Sequence, residues 1–316
     1  MSDKPYTIGP MATDRDAWLE ARKGGIGASE AAAACGVSPW SSPAELWARK
    51  TGLLPDVEDN DAMRMGRKLE PVVLDEYRER TGYALRYPFP LCLSTRHPFM
   101  FATPDAETES GDRLVEAKVT TFRRVHEFGD EGTDDVPPDY LLQCQHQMAV
   151  TGHDRVDLAV LVDGRTLRVF HVERHQQLID RMVAFEAALW RHVEGNTEPA
   201  LDFTAPGVRD VLAALYPDST GVIVPVADTV TALWERKDKA AQDEKDAKAR
   251  KDAATAELLA IIGGGKGVEL PDGRVISRSI IADTFVTQDD VDALAAKVGG
   301  VKRKGHVRVS IRKGKK

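Results

Sequence analysis

The chain has 316 residues, 42% of them hydrophobic, which is enough to bury a full core with a smaller second unit and excludes a disordered chain. No apolar run approaches the ~18 residues of a membrane span, and the first sixteen residues lack a signal-peptide core, so the expectation is a cytoplasmic protein with no membrane contact. The formal net charge of -7 argues against coating nucleic acid through bulk charge. Local basic clusters stand at Arg22 and Lys23, at Arg64, Arg67 and Lys68, at Arg123 and Arg124, and through the last sixteen residues; each also fits ordinary solvated surface. Cys35, Cys92 and Cys144 are far apart and show no CxxC spacing, which predicts buried reduced thiols rather than a zinc or iron-sulphur site.

In chain order, Thr13 and Asp16 mark a helix start, and DAWLEARK runs to the stop at Gly24 and Gly25. A short helix over SEAAAACG ends at Gly36. A third opens with Ser42 as cap, Pro43 in the first turn and Glu45 as the reciprocal acid, and closes at Gly52. From Asp61 to Gly82, Met65, Leu69, Val72, Val73 and Tyr77 recur at helical spacing, with Pro71 as a kink or restart just after Glu70. The pattern then turns to β: LRYPFPLCL, PFMFATPDAE and RLVEAKV predict adjacent antiparallel strands joined by turns. DYLLQCQHQMAVTG predicts a helix with Tyr140, Gln143 and Gln147 on one face. VDLAVLVD and TLRVFHVER form a hairpin through Gly164 and Arg165, and a long helix follows to about Gly195. Residues 228–262 read as an exposed charged helical arm ended by Gly263 to Gly265. A strand, a helix near QDDVDALAAKVGG and a basic final strand complete a small appendage. The domain reading is 1–205 for the core, 206–227 for a linker and 228–316 for arm and appendage.

The chemical signal is Asp105, then ten residues, then Glu116, Ala117 and Lys118. Alternation along a strand sends Glu116 and Lys118 to one face and Val115, Ala117 and Val119 to the other, into the core. If the ESGD turn folds the chain back, Asp105 arrives beside them. Two ionised carboxylates brought together repel unless a proton or cation lies between them, and a hard divalent ion with oxygen ligands fits that need. A surface hairpin with an ordinary Glu–Lys pair fits the spacing equally well.

Six motifs in order bear on that choice: WLEARKGGIGASE at 18–30, SPWSSPAELWARKTG at 38–52, GRKLEP at 66–71, TPDA at 103–106, VEAKV at 115–119 and YLLQCQHQMAVTG at 140–152. Through them the first two-thirds of the chain resembles the YqaJ-like viral recombinase relatives of lambda exonuclease, within the restriction-endonuclease-like (PD-(D/E)xK) superfamily. The resemblance implies an α/β fold with a central mixed β-sheet flanked by helices. It implies a magnesium-dependent exonuclease, manganese substituting, that resects duplex DNA ends from 5′ to 3′ for a single-strand annealing protein. By the same resemblance Asp105 and Glu116 ligate one or two metal ions, Ala117 adds its backbone carbonyl, Glu70 is an additional acid that helps hold a metal or its water, and Lys118 orients the nucleophilic water. Gln143 and Tyr140 lie on the helix that flanks the site, where the Gln143 amide hydrogen-bonds the water or a phosphate and Tyr140 meets the DNA. Arg22, Ser29 and Thr103 cradle a 5′-terminal phosphate, with Arg124 or Arg123 completing the pocket.

The resemblance further implies a ring-shaped homotrimer. An endonuclease of restriction or structure-specific type on the same core and a non-catalytic DNA-end binding module are the alternatives. The last sixteen residues carry eight lysines and arginines and no acid. In HVRVSIR, Val307, Val309 and Ile311 fall on one face and Arg308, Ser310 and Arg312 on the other, which suits a half-buried strand whose basic face meets phosphates, a solvated tail, or a protein partner.

Overall fold

The computed structural model describes residues 4–10, 15–218 and 229–279. The chain divides into two compact units, Met1–Pro217 and Asp218–Lys316. In the first, β1 (Tyr6–Ile8) precedes α1 (Arg15–Lys23), β2 (Ile26–Gly27), a 3-10 turn (Ala28–Glu30), α2 (Ala31–Ala34), α3 (Pro43–Lys50) and α4 (Asp61–Thr81). Strands β3 (Leu85–Arg86), β4 (Cys92–Ser94), β5 (Met100–Ala102), β6 (Ala106–Thr108) and β7 (Leu114–Thr120) lead to α5 (Pro138–Thr151), the hairpin β8 (Arg155–Val162) and β9 (Thr166–Glu173), and the helices α6 (Gln176–Glu194) and α7 (Val208–Leu215). The helix α7 falls in the segment read from sequence as linker.

Local chemistry sets the helix ends. Ser42 Oγ accepts the Glu45 N–H at 3.3 Å, as its cap position predicts. The reciprocal half of the expected box does not form, because Glu45 pairs instead with Arg49 one turn on. Asn60 caps α4 by accepting the Met63 N–H at 2.9 Å, and Gly82 closes the helix in the left-handed region; α4 runs unbroken through Pro71. Residues 163–165 join β8 to β9, and Asp163 at φ 47° and Gly164 at φ 66° are the central residues of a turn closed by the Arg165 N–H on the Val162 carbonyl at 3.0 Å.

The three β-rich runs pair antiparallel with one another as read, but the pairing is spread over two sheets. Pro88 and Pro90 interrupt the first and Pro104 the second, each removing a backbone donor, so both runs are cut in two and shared between sheets. A four-stranded sheet has the order β1-β4-β5-β2, with β2 parallel to β5. A five-stranded mixed sheet has the order β3-β6-β7-β8-β9, in which β7 and β8 are parallel and every other pair antiparallel. This is the central mixed sheet flanked by helices that was expected. Val73, Leu74 and Tyr77 of α4 pack with Val115, Ala159, Leu161 and Val169 in one hydrophobic cluster. Cys144, Met148 and Val150 of α5 pack with Leu114, Leu158 and Val160 in another, against the residues of β7 and β8 that alternate with the first set.

A buried ion cluster fastens α4 to the sheet. Asp157 of β8, fully buried, accepts from Tyr77 Oη at 2.6 Å, His171 Nδ1 at 2.7 Å and Arg155 Nε at 3.0 Å, with Arg113 Nη1 at 3.4 Å. Burial alone would raise its carboxyl pKa; these donors outweigh burial and hold it below the usual value.

In the second unit, α8 (Thr229–Ile262) is followed by the antiparallel pair β10 (Gly267–Glu269) and β11 (Val275–Ser277). The expected helix start at Thr13, the helix near 288–300 and the basic strand at 306–312 lie outside the described residues. Among the described residues no helix is long and apolar enough to cross a membrane. The cysteines are free thiols, Cys92 and Cys144 buried and Cys35 half-buried.

Candidate active site

The ESGD turn returns the chain so that β6 pairs antiparallel with β7 at Ala106 and Val115, and Asp105, one residue before that pairing, comes to rest beside β7. Its Oδ2 accepts the Ala117 N–H at 2.7 Å. Because the N–H and C=O of one strand residue face the same edge, the Ala117 carbonyl lies on the Asp105 side, away from β8. Glu116, buried, and Lys118, half-buried, share the opposite face from Val115, as alternation requires.

Glu116 is held by three donors. Lys118 Nζ donates to Oε1 at 2.6 Å, Gln143 Nε2 donates to the same oxygen, and Gln147 Nε2 donates to Oε2 at 2.6 Å. Gln143 and Gln147 are one helical turn apart on α5, and Tyr140 one turn earlier places its ring 5.6 Å from Lys118 Nζ. Asp105 is held less well. Burial, Glu116 and Glu70 together raise its carboxyl well above the ordinary range, and Lys118 and the Ala117 N–H only partly offset them. Glu70, half-buried on α4, is also raised, by burial and by Glu116. For Lys118 burial favours the neutral amine, but Glu116 and Asp105 outweigh it, so the ammonium is held above its ordinary pKa and is a cation rather than a base. Asp105, Glu116, Lys118, Glu70, Gln143 and Tyr140 therefore form one cluster.

Arg22, Ser29 and Thr103 gather around the parallel pairing of β2 with β5. Gly27 lies opposite Phe101, and a Cβ on Gly27 would come 2.6 Å from the Phe101 ring, so glycine is required for the approach. The Arg22 guanidinium sits 5.1 Å from the centre of that ring. Two residues beyond the paired positions come exposed Ser29 and half-buried Thr103, whose Oγ1 is buried and has no hydrogen-bond partner. Arg124 is committed elsewhere: it binds Asp139 at 2.7 Å, Glu127 at 2.8 Å and Tyr140 Oη at 3.1 Å, clasping the start of α5 on the Lys118 side of the site. Arg123 is exposed.

Three residues of this region were not assigned from sequence. Gln147 was placed on the face of Gln143, and that spacing was the available signal for its bond to Glu116. Lys50 of α3 pairs with Glu30 at 2.8 Å and donates to the Arg22 carbonyl at 3.1 Å, while Glu30 accepts the Gly27 N–H at 2.8 Å. Lys50 and Glu30 thus brace the segment that carries Arg22 and Ser29. Both lie inside motifs quoted above, but nothing local shows that those motifs meet.

Among the described residues no group of three or more His, Cys, Asp or Glu side chains is arranged to hold a metal ion. The donor set is two carboxylates and a carbonyl, all oxygen. That matches the habit of magnesium, which takes one or two protein carboxylates and completes its shell with water and substrate phosphate.

Residues 17–154 match the YqaJ-like viral recombinase domain family. The uncharacterized protein YqaJ of Bacillus subtilis (strain 168) is 33% identical over 192 residues, covering 60% of this chain, and the chain spans 59% of that relative's length. Among solved structures, an alkaline exonuclease from Laribacter hongkongensis aligns with a TM-score of 0.46 at 23% identity, over 57% of this chain and 93% of that one. A phage related exonuclease from Haemophilus somnus 129PT aligns with a TM-score of 0.44 at 14% identity, over 54% of this chain and 94% of that one. The stretch similar to that family, residues 17–154, contains Glu70, Asp105, Glu116, Lys118 and Gln143.

Proposed function

We propose that this chain is a divalent-metal-dependent deoxyribonuclease that resects duplex DNA from its ends, 5′ to 3′, leaving a single strand for an annealing protein in recombination. The observation that carries the reading is the meeting of Asp105, Glu116 and Glu70 with one retained ammonium, Lys118, which only partly compensates the charge on Asp105. A cation beside Asp105 would supply that charge. Asp105 and Glu116 would hold magnesium, or manganese in its place, with the Ala117 carbonyl, and Glu70 would hold a water of its shell. The ion would lend Lewis-acid charge to the scissile phosphate and the attacking water.

The remaining work falls to the chain. Lys118, kept protonated, orients the water and meets negative charge developing on the phosphate. Gln143 fixes the Glu116 carboxylate through its amide, with Tyr140 packed alongside. Arg22, Ser29 and Thr103 receive a 5′-terminal phosphate: the guanidinium offers a charged fork, and the unpartnered Thr103 hydroxyl gains the hydrogen bond it lacks. The partners in this reading are duplex DNA ends, the annealing protein and, by resemblance, further copies in a ring-shaped trimer, all in the cytoplasm.

The test is digestion of end-labelled linear duplex and of covalently closed duplex, each with magnesium and with chelator. Loss of linear duplex from its 5′ ends with magnesium alone is the expected result. Cutting of closed duplex would move the assignment to an endonuclease, and binding of ends without cutting would move it to a non-catalytic module.

A further inference from the structure

Helix α8 exposes large apolar residues at both ends: Val230 and Leu233 at one, Leu258, Leu259 and Ile261 at the other. At 1.5 Å per residue the ends lie roughly 40 Å apart, too far for one to cover the other. All of these except Leu259 belong to a single heptad seam. Leu233, Ala240, Ala247, Ala254 and Ile261 recur every seven residues, and Val230, Lys237, Glu244, Lys251 and Leu258 occupy the other seam position.

We propose that α8 pairs antiparallel with α8 of a second copy of this chain, the two helices aligned over their full length. In that alignment Val230 meets the second copy's Ile261 and Leu233 meets its Leu258, so both exposed ends are covered at once. Lys237, Glu244 and Lys251 each lie across from an alanine, Ala254, Ala247 and Ala240 respectively, where the absence of a long side chain leaves room for the charged stem. Glu244 falls one layer from the second copy's Lys251. A parallel pair would instead stack Lys237, Glu244 and Lys251 each on its own copy, three like-charge layers.

The flanking charges select the register. In the full-length antiparallel alignment Arg236 faces the second copy's Glu257 and Asp243 faces its Arg250, and symmetry repeats both contacts, giving four opposite-charge pairs. Sliding by one heptad in one direction sets Arg236 against Arg250 and Asp243 against itself. Sliding in the other sets Asp243 against Glu257 and Arg250 against itself. Of these three registers only the aligned one is free of like-charge contacts along this edge, a slide of two heptads halves the number of opposite-charge pairs, and a partner that satisfies every position is the same sequence reversed.

The experiment uses the full-length protein and two charge-reversed variants, Arg236→Glu with Arg250→Glu, and Asp243→Lys with Glu257→Lys, all at exposed positions. Circular dichroism first establishes that each variant keeps its helix content. Sedimentation velocity then compares the unmodified protein, each variant alone and the two variants mixed. The expected result is that each variant alone has half the mass of the unmodified assembly, whatever copies the first unit contributes, and that mixing restores the full mass because it restores four opposite-charge pairs. Equal masses in all four samples overturn the pairing, as expected if α8 packs within its own chain or stays solvated. Loss of mass in both variants without recovery on mixing also overturns it.

Discussion

Asp105 and Glu116 should respond in opposite senses to loss of charge when the protein is free of divalent ions. Asp105→Asn keeps an oxygen to accept the Ala117 N–H and removes a charge repelled by Glu116 and Glu70. Each unit by which a folded-state carboxyl pKa stands above its unfolded value corresponds to about 1.4 kcal/mol of lost stability at neutral pH, so a gain of about 1 kcal/mol or more is expected. Glu116→Ala does the reverse: it strips Lys118, Gln143 and Gln147 of their acceptor. Breaking a buried pair costs about 3–5 kcal/mol, and because Lys118 is partly exposed and keeps Asp105 nearby, about 2–3 kcal/mol is expected here. At about 2–4 °C per kcal/mol for a unit of this size, Tm should rise a few degrees for Asp105→Asn and fall roughly 5–10 °C for Glu116→Ala. The pH dependence has a definite sign. A raised carboxyl pKa means the folded state binds the extra proton, so the Asp105 contribution is present below the ordinary carboxyl pKa and is lost as pH rises through the folded value; Asp105→Asn should flatten that decline. The assay is thermal unfolding in chelator across acidic to neutral pH. Equal destabilisation by both variants would show that Asp105 is a structural carboxylate and that the site has no unmet need for a cation.

Both variants should lose cleavage in magnesium despite their opposite effects on stability, which a nick-sensitive fluorescence assay separates from unfolding. Lys118→Ala should lose most activity while calorimetry still detects manganese binding; joint loss of both would make the lysine a structural member of the site. Arg22→Ala should erase a preference for 5′-phosphorylated over unphosphorylated ends, and equal degradation of the two ends by the unmodified protein would remove the pocket assignment. Tyr77→Phe removes a hydrogen bond to a buried carboxylate and should cost about 1.5–3 kcal/mol. Because the Asp157 pKa is lowered, that cluster's contribution is present above the ordinary carboxyl pKa and fades as pH falls through the folded value, so acid unfolding of the Tyr77→Phe and unmodified proteins should converge.

Sequence by itself determined the elements whose causes are local. Ser42, Gly82 and Gly164 act within a few residues of themselves, and the helical spacing over 61–82 and 138–151 reflects burial of one face. Alternation alone assigned Val115, Ala117 and Val119 to one side of β7 and Glu116 and Lys118 to the other. Tertiary structure decided what depends on contacts between distant segments. The β-rich runs divide between two sheets because strand partners are chosen by long-range register, which a proline can cut short but no local pattern can assign. Asp105 and Glu116, alike as carboxylates in the sequence, become unequal because α5 delivers two amides to Glu116 and none to Asp105. The sequence could not show that Asp139, Glu127 and Tyr140 close around Arg124, and Lys50 had no visible role until α3 brought it to the Arg22 carbonyl. Charge and hydrogen bonding act through space over a few ångströms, so their outcome is set by which segments meet, and that is fixed only when the sheets and helices have packed.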